Sequence, residues 1–158
     1  MYRTITRFLP IFIFLLSACG GNAATTPEAV PTWTPDPCAS SNLNASVKPI
    51  NDLQREFDDA SGLASNLPVD QLDDAITNLQ RIRREAENIT PPPCLVALKS
   101  YQLAHMNAVI DTLIAFVGGA DTNTLNQGMT LARQEHDRYT LEMARVLGVT
   151  LVTATAAP

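Results

Sequence analysis

The chain is poor in the residues that catalysis and nucleic-acid recognition depend on. Histidine occurs twice, cysteine three times and tryptophan once in 158 residues, and aromatic side chains make up only 6%. Neither the G-x-x-x-x-G-K-S/T pattern nor G-x-G-x-x-G is present, so there is no glycine-rich cradle for phosphate. The G-x-S-x-G nucleophile turn is missing too. So is the C-x-x-C-H run that attaches a c-type haem. Eleven basic residues face sixteen acidic ones and form no basic face, which argues against nucleic acid as a partner. Runs of period-two alternation are also absent, which excludes a sheet and leaves an all-α reading.

The one strongly apolar run is FLPIFIFLL, residues 8–16. It is well short of the roughly 20 residues that span a bilayer as a helix, and it contains Pro10. Arg3 and Arg7 precede it and small residues follow, the layout of a secretory signal peptide. Leu16-Ser17-Ala18-Cys19 resembles the lipobox of bacterial lipoproteins. The resemblance implies a diacylglyceryl thioether on Cys19 and cleavage before it, so that residues 1–18 are removed. Two or more acyl chains anchor stably, at roughly 0.8 kcal/mol per buried CH₂. In such lipoproteins the next residue influences sorting, and Gly20 in place of aspartate points to the outer membrane where there is one. The expectation is therefore an extracytoplasmic chain held by lipid to the cell membrane or outer membrane. Loss of Arg3 and Arg7 makes its formal charge, −5 for the whole chain, still more negative.

With Cys19 assigned to lipid, Cys38 and Cys94 remain, and outside the cytoplasm two leftover cysteines read as one disulfide. Metal ligation is the alternative, but neither has a second cysteine or histidine at zinc-site spacing. A bridge closing a loop of about 57 residues is worth roughly 4 kcal/mol in the chain-entropy model, before any discount for strain.

Residues 19–37 combine the lipidated cysteine with a Pro- and Thr-rich stretch lacking any helical period, which reads as a tether. Trp33 lies within it. Residues 38–148 carry four amphipathic stretches. The first, starting near Ser46 because Pro49 suits only a helix start, has the stripe Val47, Ile50, Leu53, Phe57, Ala60, Leu63 and Leu67. Asp52, Arg55, Glu56, Asp58 and Asp59 are expected to turn outward. The second carries Leu72, Ile76, Leu79, Ile82, Ala86 and Ile89 and stops at three prolines, residues 91–93. The third, about Cys94 to Val117, has Leu98, Gln102, His105, Met106, Val109, Leu113 and Phe116 at or near its buried side, and ends at Gly118-Gly119. The fourth, capped near Asp121, carries Leu125, Met129, Ala132, His136, Tyr139, Met143 and Val146 and ends at Gly148. Residues 149–158 form a tail. Short connections between long helices imply an up-down-up-down four-helix bundle of two αα-hairpins. In that topology Cys38 and Cys94 begin helices at one end, and both follow a TP-x-PC entrance, TPDPC and TPPPC.

Chemistry inside such a bundle would rest on few side chains. A ferritin-like di-iron site needs Glu-x-x-His pairs, but Gln102 and Arg133 stand where the glutamates would be. His105 and His136, with Met106, Met129 and Met143, are the candidates for a softer copper site. His136 to Arg145 resembles the H-H-x₅-M-A signature of small ferritin-like extracytoplasmic proteins, with Asp137 in place of the second histidine. Both histidines also fall on or beside the apolar stripes, where His and Met serve as core filler. The expectation is accordingly no metal, no cofactor and no catalytic residue. The chain reads as a lipid-anchored, non-catalytic interaction or structural module acting on another envelope component. A copper- or small-ligand-binding bundle is the alternative.

Overall fold

A computed structural model describes residues 34–149. The expected leader, Cys19, the expected tether through Trp33 and the expected tail from Thr150 lie outside the described residues. Within them are four helices and no strand: α1 (Leu43–Ala64), α2 (Leu72–Asn88), α3 (Val96–Val117) and α4 (Thr122–Val146). None is long and apolar enough to cross a membrane.

The boundaries follow from punctuation in the chain. Short 3₁₀ turns, Val69–Gln71 and Pro93–Leu95, lead into α2 and α3. Each begins beside an extended proline that accepts the first turn bond, from Gln71 N–H to Pro68 O at 3.0 Å and from Leu95 N–H to Pro92 O at 2.9 Å. At the end of α3, Gly119 takes a left-handed φ of 75°, and Ala120 N–H reaches back to Ala115 O at 2.9 Å. Gly148 ends α4 in the same way, with φ 68°. Asp121 caps α4 by accepting from the backbone N–H groups of Asn123 and Thr124. Those bonds favour the carboxylate and hold the Asp121 pKa below its ordinary value.

The start of α1 departs from the expectation. The helix begins at Leu43, so Pro49 sits inside it. One proline removes only one backbone donor, and this segment is pinned on both sides. Ser46 Oγ donates to Pro37 O at 2.8 Å, Asn42 Nδ2 donates to Asp36 O at 2.8 Å, and Val47 and Ile50 are buried. The other end departs as well. Leu63 is 72% exposed and Leu67 37%, while Ala64 is buried. Ala64 lies seven residues after Phe57 and shares its face, whereas Leu63 is rotated by about 100° from Ala64.

Side-chain pairs give the topology. Gln102 bonds Ile50 O and His105 approaches Asp58, so α1 and α3 run parallel. Arg83 reaches Asn107 while Lys99 reaches Glu87 O and Ile89 O, so α2 and α3 are antiparallel. His105 meets Ala132 O, and Tyr139 Oη lies 3.4 Å from Asn51 Oδ1, so α4 is antiparallel to both α3 and α1. This is the expected up-down-up-down helical bundle. Its helix pairs are not equally close, however. α3 and α4 pack most intimately, and α1 and α4 stand farthest apart among neighbours. Gly128 permits the close pairing, because a Cβ there would overlap the Thr112 hydroxyl and lie 3.2 Å from its Cβ.

The core has two parts. Phe57, Leu72, Leu79, Ile82, Ala86, Met106 and Ile110 pack together, with α2 supplying the largest share. Val47, Ile50, Leu95, Leu98 and Tyr139 form a second cluster. Beside the second cluster Cys38 and Cys94 are disulfide-bonded, with Cα atoms 5.9 Å apart. The bridge joins the segment before α1 to the turn before α3, at the end where both helices begin.

Candidate functional site

Two features stand out along the wider α1–α4 seam, a polar cluster in the middle and an apolar cleft at the end remote from the disulfide. The polar cluster is built from three helices. α1 contributes Asp58, α3 contributes His105 and α4 contributes His136, and one ligating atom from each lies within 4.8 Å of the other two. His105 is buried; Asp58 and His136 are half-buried. The histidine rings sit 5.0 Å apart at 61°, and Phe57 packs edge-on against His105 at 5.8 Å.

The partners of His105 define its chemistry. Its Nδ1 lies 2.9 Å from Ala132 O, and a carbonyl only accepts, so Nδ1 carries a hydrogen and donates. In a neutral ring Nε2 is then the atom with the lone pair. That Nε2 is 3.3 Å from Asp58 Oδ1. Asp58 is oriented in turn by Gln54, whose Nε2 donates to the same Oδ1 at 2.9 Å. A second layer of polar groups lies about one turn nearer the disulfide. Gln102 donates to Ile50 O at 2.7 Å, and Tyr139 lies against Asn51. Burial, with the Asp58 charge adding to it, pushes the Tyr139 phenol well above its ordinary pKa. Tyr139 therefore stays protonated at neutral pH. The amide oxygens of Gln54 and Gln102 are buried without a hydrogen-bond partner.

The structure thus brings both sequence-identified histidines together. It also adds Asp58, expected among the outward-facing acids of α1. Asp58 sits one position past Phe57, at the border of the apolar stripe, and such border positions face a neighbour wherever a seam is wide. That position was the only sequence signal for it. The three methionines are distributed elsewhere. Met106 is in the core, Met143 packs against the Tyr139 cluster, and Met129 is 43% exposed. His105 and His136 meet polar partners rather than filling a purely apolar core.

The cleft has a volume of about 490 Å³ and is open to solvent, lined by residues such as Ala64, Leu72, Leu113, Phe116, Met129 and Ala132. Its lining comes from the end of α1, the start of α2, the end of α3 and the start of α4, so it occupies the end opposite the disulfide. Phe116, expected on the buried side of α3, is 45% exposed here. Leu67 and Met129 are likewise exposed along the cleft, so part of the apolar stripes here lacks a covering layer. Ala132 belongs to both features, since its methyl side lines the cleft and its carbonyl holds His105.

Comparison of the chain with family models, with curated proteins and with solved structures finds no match.

Proposed function

We propose that the chain is a lipid-anchored, non-catalytic binding module of the cell envelope that uses the cleft end of its bundle to hold an apolar segment of another envelope protein. The cleft carries this reading. A pocket of about 490 Å³ is large enough to take several apolar side chains. Within the cleft lining itself, Leu67, Phe116 and Met129 remain exposed. An extended apolar patch rimmed by polar residues is the usual mark of a recognition surface. An amphipathic helix laid in a groove is the common way such a surface is used. The lipobox leader and the Pro/Thr-rich tether support the location. The disulfide supports a bundle that stays folded outside the cytoplasm.

The test is photo-crosslinking in native membranes, with the reactive residue placed at Phe116 in the cleft or at Arg145 near the disulfide end. The expected result is one dominant adduct from position 116, lost on Leu113→Glu, with none from position 145. Equal labelling from both positions, or none from either, overturns the reading. Mass spectrometry of the same material tests the anchor separately, and an unmodified Cys19 sulfur refutes it.

A further inference from the structure

We propose that Asp58, His105 and His136 form a three-ligand site for one divalent transition-metal ion of borderline softness, zinc or copper(II). This site is independent of the proposed use of the cleft.

The argument starts from a mismatch. Nδ1 of His105 is committed as a donor to Ala132 O, so a neutral ring turns its Nε2 lone pair toward a carboxylate oxygen. Two electron-rich atoms then face each other, with only the Gln54 N–H on the carboxylate side, and a cation between them would relieve the repulsion. A proton is one candidate. A charge-assisted N–H···O bond between imidazolium and carboxylate contracts to about 2.7–2.9 Å, however. The Nε2–Oδ1 separation is 3.3 Å, beyond that range. A metal ion accounts for the distance. Ligand bonds of about 2.0–2.1 Å in a tetrahedral set place neighbouring donor atoms roughly 3.3 Å apart. His136 supplies the third donor from the opposite helix, with the three ligating atoms within 4.8 Å of one another.

The surroundings of the ligands fit the same reading. Metal-bound histidines donate their other ring N–H to a carbonyl or carboxylate, which sets the tautomer and raises ligand basicity. Ala132 O does this for His105. Ligating carboxylates are themselves held by hydrogen bonds, as Asp58 is by Gln54. About one helical turn from Asp58 and His105, the buried amide oxygens of Gln54 and Gln102 lack donors. Water ordered by a cation is a donor of the kind those oxygens lack.

The donor set also selects the ion. Two imidazoles with one carboxylate suit zinc and copper(II), whereas magnesium and calcium require oxygen donors. Three protein ligands leave a fourth position, and the half-buried Asp58 and His136 put the site at the edge of the bundle, where an ion can enter and exchange.

The experiment uses the full chain with its disulfide intact, stripped by a chelator and titrated calorimetrically with Zn²⁺, Cu²⁺ and Mg²⁺ in separate runs. One equivalent of Zn²⁺ or Cu²⁺ binds, and Mg²⁺ does not. Asp58→Ala and His136→Ala each weaken that binding more than about 100-fold. Gln54→Ala, which acts only through the carboxylate, weakens it by about 10-fold. Paramagnetic resonance of the Cu²⁺ form shows two nitrogen donors in the parent chain and one in His136→Ala. Asp58 and His136 are half-buried and Gln54 is buried, and far-UV circular dichroism verifies that each variant is folded. Absence of stoichiometric binding by either ion overturns the site. So does binding that survives both substitutions, or a copper spectrum whose nitrogen count is unchanged by His136→Ala.

Discussion

The two ends of this bundle are made from the same four helices and the same kind of apolar stripe, yet only one end is closed. At the disulfide end, Val47, Ile50, Leu95, Leu98 and Tyr139 are all buried, and Cys38–Cys94 ties the two hairpins together. At the other end, Leu67, Phe116 and Met129 are all substantially exposed around an open cleft. The contrast shows that stripe membership is a local property, whereas burial depends on whether another layer arrives to cover the stripe. Where the chain is covalently clasped, that layer is held in place. Around the cleft, past the end of α1 at Ala64, part of it is missing.

This contrast can be attacked directly. The largest effect should come from the clasp. The cysteines are 56 residues apart, and replacing both by serine should cost roughly 4 kcal/mol of unfolding free energy in urea denaturation. A loss below about 1 kcal/mol would mean that the closed end does not depend on the bridge. Next comes a matched pair of truncations. Leu98→Ala at the closed end should destabilise by about 2–5 kcal/mol, because the residue is fully buried. Phe116→Ala at the open end should stay within about 0.5 kcal/mol. Comparable losses at the two positions would show that the cleft is filled in solution. Gly128→Ala falls between these two truncations, at a cost of about 1–3 kcal/mol, by wedging α3 from α4 against Thr112. A neutral or stabilising result would show that the pair separates freely and that the seam widths are not set by this contact.

Much of the architecture was legible in the chain, for identifiable reasons. The α2 stripe of Leu72, Ile76, Leu79, Ile82 and Ala86 is buried as its spacing indicates, because α2 packs between α1 and α3. The prolines before α2 and α3, the glycines after α3 and α4, and Asp121 mark their helix ends through backbone geometry that needs no tertiary context. The Cys38–Cys94 pairing was legible once Cys19 was set aside for lipid, and the topology agrees, since the two cysteines begin helices at the same end. Pro49 misled the reading of α1, because a helix otherwise pinned by Ser46, Asn42 and buried neighbours tolerates one missing donor. Leu63 misled it because it is rotated off the face that Phe57 and Ala64 bury, and Phe116 because it borders the open cleft.

The candidate site was half legible. His105 and His136 were noticed because histidine is so scarce, but nothing in their spacing on separate helices says that their rings lie 5.0 Å apart. Asp58 was read as a solvated acid, one of several on its helix. Its role depends on the width of the α1–α4 seam, which no local pattern encodes.

By itself, the order of residues determined the helical class, the positions of most helix ends and the cysteines available for pairing. These follow from short-range rules of backbone conformation and side-chain period. Tertiary packing alone decided which stripes are covered, that a cleft opens at one end, and that a carboxylate and two imidazoles from three helices converge. Interhelix distance, close between α3 and α4 where Gly128 meets Thr112 and constrained at one end by the disulfide, is a property of the assembled bundle rather than of any one segment.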